Sequence, residues 1–190
     1  MEKEKLPENN LENATEMPIQ TTEIVDHFSA EALGIILKLE KECFPADWQY
    51  ENADGYYKKI LEDPENINIF LKDGNEVVGY VLAKFHNIEL EELKGYDSEL
   101  KEREGFYVET IQILPEFLGR GGVKKLLFAI CGEAKKRGVE KFSIHVRTIN
   151  GFHDKIKKIF EGKITAVRKI EHWGLAAGEP YEYIEWEYKK

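Results

Sequence analysis

The chain has 190 residues, 42% of them hydrophobic, which suits one globular domain with a real core and some spare tail. Its net charge of −9 argues against general nucleic-acid binding. No apolar run approaches the roughly 18 residues of a membrane span, and no apolar segment follows Met1-Glu-Lys-Glu-Lys5, so neither a span nor a signal peptide is expected.

Residues 1 to about 22 are rich in Glu, Asn, Thr and Pro and lack periodicity, which predicts a disordered tail ahead of a domain over 23–190. A short strand is expected at Glu23–His27. Ser29 is a candidate N-cap for a helix to about Cys43, with Ala32, Ile35, Ile36, Leu39 and Cys43 on one face. Phe44-Pro45 breaks that helix, because proline disfavours helix in the residue before it. A second helix fits Glu51–Leu61, with Tyr57, Ile60 and Leu61 inward. Ile67–Leu71 and Glu76–Phe85 read as strands joined at Asp73-Gly74-Asn75, a strong hairpin signal. Ile88–Glu104 is charged with scattered leucines and reads as an irregular or partly helical insertion.

Phe106–Ile113 is the next strand. Alternation would put Tyr107, Glu109, Ile111 and Ile113 on one face. Leu126, Leu127, Ile130, Cys131 and Ala134 mark a helix from about Gly122 to Arg137, stopped by Gly138. Lys141–Val146 alternates as a strand, so strand, helix and strand form a parallel crossover. A helix over Gly151–Phe160 and two strands, Ile164–Ile170 and Tyr181–Tyr188, close the chain. A loop holding Gly174 and Gly178-Glu-Pro180 links those strands. The last strand reads as amphipathic with a solvated acidic edge, or as an acidic aromatic wall for a cationic amine.

Charge is unevenly placed. Residues 117–169 hold 14 Lys and Arg against 4 acids, a balance of +10 that leaves −19 elsewhere. Solvated helix faces would give this pattern; so would a cationic bed for a polyanionic cofactor beside an acidic mouth. Cys43 and Cys131 are too few for a disulfide scaffold and lie on apolar helix faces, which suggests buried free thiols in a reducing compartment. The five histidines show no metal-ligand spacing, and a serine nucleophile elbow is absent.

The stretch Leu118-Gly-Arg-Gly-Gly-Val123 opens onto a helix, and glycines there let a ligand approach the main chain. It is neither a dinucleotide fingerprint nor a P-loop. With Ile111-Gln-Ile113-Leu-Pro115 before it and Leu126-Leu127 after it, the stretch resembles the signature of the GCN5-related N-acetyltransferases. The order of elements from Glu23 to Tyr188 is also similar. Two positions depart from that family's pattern: Leu118 replaces Arg or Gln, and Val123 replaces Gly or Ala.

The resemblance implies an α/β fold: a mixed, mostly antiparallel twisted sheet of six to seven strands with helices on both faces. It implies acetyl-CoA as cofactor, held by Ile111, Ile113, Leu118, Gly119, Arg120, Gly121, Gly122, Val123, Lys124 and Asn150. Glu109 matches the family's general base, often acting through water. An alkylamine of pKa near ~10.4 must lose a proton before it attacks a thioester. Glu109 could equally pair with a nearby Lys or cap a bulge. Where the family often has a tyrosine as acid, this chain has Lys157, and the nearest aromatic is Phe160. Trp48, Trp173, Tyr181 and Tyr183 are candidates to line the acceptor site. The implied function is acetyl or short acyl transfer to a small-molecule or peptide amine in the cytoplasm, with no membrane or nucleic-acid partner. The alternative is a domain of the same fold that senses acyl-CoA without turnover. The sequence leaves the oligomeric state open, a homodimer included.

Overall fold

The computed structural model describes residues 20–171, 173 and 179–189. The expected tail at residues 1–19 therefore lies outside the described residues, as do Gly174 and Gly178. The elements run β1 (Thr21–Ile24), α1 (Ala30–Cys43), α2 (Ala53–Glu62), β2 (Ile67–Asp73), β3 (Glu76–Phe85), α3 (His86–Leu93), β4 (Phe106–Ile113), α4 (Gly122–Lys136), β5 (Lys141–Arg147), α5 (Phe152–Ile159), β6 (Ile164–Ile170) and β7 (Tyr181–Glu187). They form one seven-stranded sheet in the order β1-β2-β3-β4-β5-β7-β6. Among the described residues only β4 and β5 pair in parallel; the other five pairings are antiparallel.

Local signals explain most boundaries. Ser29 Oγ accepts the Ala32 N–H at 3.0 Å and starts α1, which ends at extended Phe44, before Pro45. β1 starts at Thr21, two residues before the expected Glu23, because it pairs from Thr21↔Lys72 to Ile24↔Ile69 along β2. α3 begins at His86 and forms the helical part of the insertion. Leu90, Leu93 and Leu100 then pack it onto Tyr107, Ile170, Tyr181 and Tyr183. Among the described residues no helix is long and apolar enough to cross a membrane. Both cysteines are free; Cys131 is buried but Cys43 only half-buried, and burial pushes their thiols up to about 12 and about 11.

Two features of the sheet overturn simple alternation. In β4, Val108 pairs with Ala83 and Thr110 with Leu82, so Glu109 is an extra residue in a β-bulge. The bulge reverses the side-chain phase. Tyr107 faces His145 on the α3 side, whereas Ile113 reaches the first residue of α4. Tyr107 thus does not share a face with Ile111 and Ile113. The second feature is β7, which lies between β5 and β6 and is covered on both sides. Its acidic residues therefore do not form a solvated edge. Glu182 is buried with Lys157 at 3.0 Å, and Glu185 meets Arg103 at 2.8 Å.

Candidate active site

The parallel ladder of β4 and β5 holds for two pairs, Phe106↔Phe142 and Tyr107↔Ser143, and then the strands part. Next to the far end of β4 lies a cavity of about 260 Å³ lined by Ile113, Phe117, Leu118, Gly119, Gly121, Gly122, Val123, Lys124, Lys155 and Ile159. Three of the lining residues, Gly119, Gly121 and Gly122, are glycines that expose main chain. Gly119 and Gly121 adopt φ of 81° and 83°, a conformation that other residues rarely take, and an added Cβ at either would meet open space. The first N–H groups of α4 have no partner within the helix, no acid lies in its first turn, and its dipole is positive there. Lys124 and Lys155 add cations. An arrangement of this kind can accept a phosphate-bearing group.

Seven of the ten expected cofactor residues line this cavity, and three do not. Arg120 turns to Asp73 at 3.3 Å and covers the Phe117 ring. Asn150 is exposed, and its Oδ1 accepts the N–H of Phe152, the first residue of α5, at 3.0 Å. Ile111 packs into the core. Gly122 has a different role from its neighbours: a Cβ there would lie 2.6 Å from Leu71 Cδ2 and 2.9 Å from Ile113 Cδ1. It lets α4 sit tightly on the sheet. Sequence reasoning missed Lys155 and Ile159, although their i,i+4 spacing puts them on one face of α5.

Glu109 faces α2, where its Oε1 accepts the Tyr56 hydroxyl. Its Oε2 lies 3.8 Å from Lys84 Nζ, and both side chains are about one-tenth exposed or less. Lys84 also lies 5.2 Å from the centre of the Tyr56 ring, which stacks on Tyr50 at 4.3 Å. Burial, and then the Glu109 charge, push the Tyr56 pKa far up, so its phenol stays protonated and donates. The bulge and the pairing with Lys84 are both realised here.

The expected acceptor residues divide. Trp48 ends a 3-10 turn, Ala46–Trp48, and stacks under the Arg147 guanidinium, which is paired with Glu179. Trp173 stacks on Tyr181 at 5.2 Å and lies 4.3 Å from the His145 ring. Tyr183 is more deeply engaged: its hydroxyl donates to Glu185 at 2.8 Å, and burial pushes its pKa up to about 12. Beneath them runs a buried network. His145 Nε2 lies 3.0 Å from Asp97 and its Nδ1 3.0 Å from the Tyr107 hydroxyl, while Arg168 clasps Asp97. Asp97 is ionised, so Nε2–H donates to it and Nδ1 accepts from Tyr107. Burial works to raise the Asp97 pKa, but His145 and Arg168 outweigh it and hold it well below the usual carboxylate range. Burial also lowers the His145 pKa, against the pull of Asp97. Nothing in the sequence singled out Asp97, which ties the insertion to β5 and β6.

Lys157, where the family's tyrosine is often found, pairs with Glu182 and Asp154, both at 3.0 Å, and Phe160 is core. Among the described residues no group of three His, Cys, Asp or Glu could hold a metal ion.

Comparisons with known proteins agree with this layout. No curated protein matches the chain in sequence. Among solved structures, the ribosomal-protein-S18-alanine N-acetyltransferase from Escherichia coli is 14% identical, with a TM-score of 0.61 over 90% of this chain and 96% of its own. Arabidopsis thaliana NAA60, in complex with acetyl-CoA, is 15% identical with a TM-score of 0.67 over 90% and 100%. A chain of the NatC complex bound to Gag peptide and CoA is 15% identical with a TM-score of 0.65 over 90% and 99%. The description "Acetyltransferase (GNAT) family" matches residues 33–153. With that match over more than half its length, and a seven-stranded sheet that parts between β4 and β5, this chain belongs to the acetyltransferase (GNAT) family.

Proposed function

We propose that the chain transfers an acetyl group from acetyl-CoA to a primary amine, by direct attack in a ternary complex. One observation carries this reading: the glycine cradle at the start of α4 opens beside the end of β4, where β4 and β5 part, and Glu109 stands on the bulge of that same strand. The likeness to NAA60, which was solved with acetyl-CoA, supports the donor. The likeness to NatC, solved with a Gag peptide and CoA, supports an acceptor class that includes peptides.

The residues divide the work as follows. The N–H groups of Gly122, Val123 and Lys124, with the Lys124 and Lys155 side chains, hold the pyrophosphate. Main-chain N–H groups at the end of β4 near Ile113 steady the thioester oxygen as negative charge develops. Leu114 N–H is excluded from that role, because it donates to Val78 O at 2.9 Å. Glu109, directly or through water, takes the ammonium proton of the acceptor. Tyr56 fixes one carboxylate oxygen, and the other faces Lys84 Nζ at 3.8 Å. Trp48, Trp173 and Tyr181 line the approach of the acceptor. The thiolate of coenzyme A leaves without help from a side chain at Lys157. That last point favours a second reading, a cofactor sensor without turnover, because Lys157 is locked to Glu182 and Asp154.

Thermal melting with acetyl-CoA tests the donor. At 100 times its Kd a ligand stabilises the fold by about 2.7 kcal/mol. No shift at millimolar acetyl-CoA would overturn both readings. Given a shift, a panel of polyamines, amino acids and peptide N-termini separates them: turnover on any member supports the transferase, and none supports the sensor.

A further inference from the structure

We infer that Gln20 supplies a side-chain amide to the phosphate groups of the donor at the start of α4, from a part of the chain far outside the glycine turn. The inference rests on the proposed donor and adds one residue to those that would hold it.

Gln20 immediately precedes β1 and is 4% exposed. Among the described residues neither its Nε2 nor its Oε1 has a hydrogen-bond partner. A buried amide left unpaired costs free energy, so such a group calls for something that completes it. Its surroundings say what. A Cβ on Gly122, the first residue of α4, would lie 3.3 Å from Gln20 Oε1 and 2.9 Å from Ile113 Cδ1. Gly122 and Ile113 both line the cavity. The amide and the cavity thus share Gly122 as a wall. The first N–H groups of α4 have no partner within the helix, and Gly121 at its N-cap has no side chain to take them. Lys125 Nζ donates to Gln20 O at 2.5 Å, which ties the residue to α4.

An anion is what this helix end favours. The dipole is positive there, Lys125 adds a cation, and the amide adds donors. An acid also stands on this flank. Asp73 follows Lys72, the ladder partner of Thr21, and its Oδ1 is likewise buried without a partner among the described residues. Arg120 pairs with Asp73 Oδ2 at 3.3 Å, which offsets the repulsion of a phosphate. The resembled signature has Arg or Gln where this chain has Leu118. Gln20 brings an amide to the same helix end by another route, so the apolar residue in the signature does not leave the phosphates without a side-chain donor of this type.

Calorimetry with acetyl-CoA is run on the full-length wild type and on Gln20→Leu, beside thermal melting of both free proteins. Gln20→Leu keeps the main-chain contact with Lys125 and removes only the amide. It should weaken acetyl-CoA binding by at least about tenfold, the worth of one hydrogen bond to a charged group. The melting temperature should stay level or rise, because an unpaired buried amide is gone. Gln20→Met, unbranched and of similar length, repeats the measurement should leucine not fit. A Gln20 that only completed Asp73 would give the opposite pattern: a lower melting temperature at unchanged affinity. That pattern overturns the inference, as does equal affinity in variant and wild type at any stability. Both outcomes leave the donor assignment standing. A wild type that does not bind acetyl-CoA overturns the inference and the donor assignment together.

Discussion

On the α4 side of the sheet the wall of the cavity exposes main chain at three glycines, two of them left-handed, beside the first turn of α4 and flanking lysines. On the α2 and α3 side the wall is side chain, and nearly every charge is matched. Glu109 is shared by Tyr56 and Lys84, Glu179 by Arg147, Asp97 by His145 and Arg168. The first wall is open and built from residues adjacent in sequence. The second is closed and built from residues 25 to 71 positions apart. An open cradle accepts an anion that this chain does not supply, whereas a closed network has to give up an internal partner to engage a cation. The acidic mouth expected from charge counting is thus internally compensated.

The largest effect that would break this contrast is kinetic. Glu109→Gln keeps the Tyr56 bond and the shape of the bulge but cannot take a proton. Turnover should fall on the order of 10²- to 10⁴-fold, with acetyl-CoA affinity unchanged. Steady-state kinetics beside calorimetry measure both. Equal turnover in variant and wild type would retire Glu109 as the base.

Next in size is the closed network. Asp97→Ala leaves Arg168 and His145 without their carboxylate, and breaking a buried pair costs about 3–5 kcal/mol. Denaturant unfolding should show that loss. The same network predicts a pH dependence. Because the His145 pKa is lowered on folding, the unfolded chain binds more protons below its ordinary value of about 6.5. Stability is therefore lost on acidification below about 6.5, and His86, also lowered chiefly by burial, acts in the same direction. Asp97 adds its loss only below about 3.9, the ordinary carboxylate value. A melting temperature that stays level from about pH 7.5 to about 5.5 would contradict a neutral buried His145.

What could be read beforehand follows the same division. Strand and helix identities, the Ser29 cap and the glycine turn depend on neighbours within a few residues, and there the sequence was explicit. The phase of β4 was not legible, because a bulge at Glu109 is an agreement between two strands. Nor was the place of β7, since insertion between β5 and β6 is decided by long-range pairing. The pairing of Arg120 with Asp73 in the hairpin was not legible for a related reason: it joins residues 47 positions apart.

A smaller effect separates two glycines in the cradle. Gly122→Ala forces a methyl against Leu71 and Ile113, so stability should fall by about 1–3 kcal/mol. Gly119→Ala meets no neighbour and strains only its own φ, a loss of roughly 1–2 kcal/mol. Its methyl, however, lies on the cavity wall. Melting temperature should therefore respond more to Gly122→Ala, whereas affinity for acetyl-CoA relative to stability should respond more to Gly119→Ala. The reverse order would mean that the cradle and the helix packing have been assigned to the wrong glycines.

The smallest effect tests whether the main chain suffices. Leu118 is 54% exposed at the cavity edge and contributes no polar side-chain group where the signature it resembles has Arg or Gln. If N–H groups and lysines already satisfy the pyrophosphate, Leu118→Gln should add one hydrogen bond of about 0.5–1.5 kcal/mol at most. That corresponds to roughly two- to tenfold tighter acetyl-CoA binding. A gain far above that range would mean that the cradle is under-built in this chain and that Leu118 keeps the affinity low. An unchanged Kd would mean that the glycines and the start of α4 carry the anion alone, which makes the open wall independent of side-chain identity at its rim.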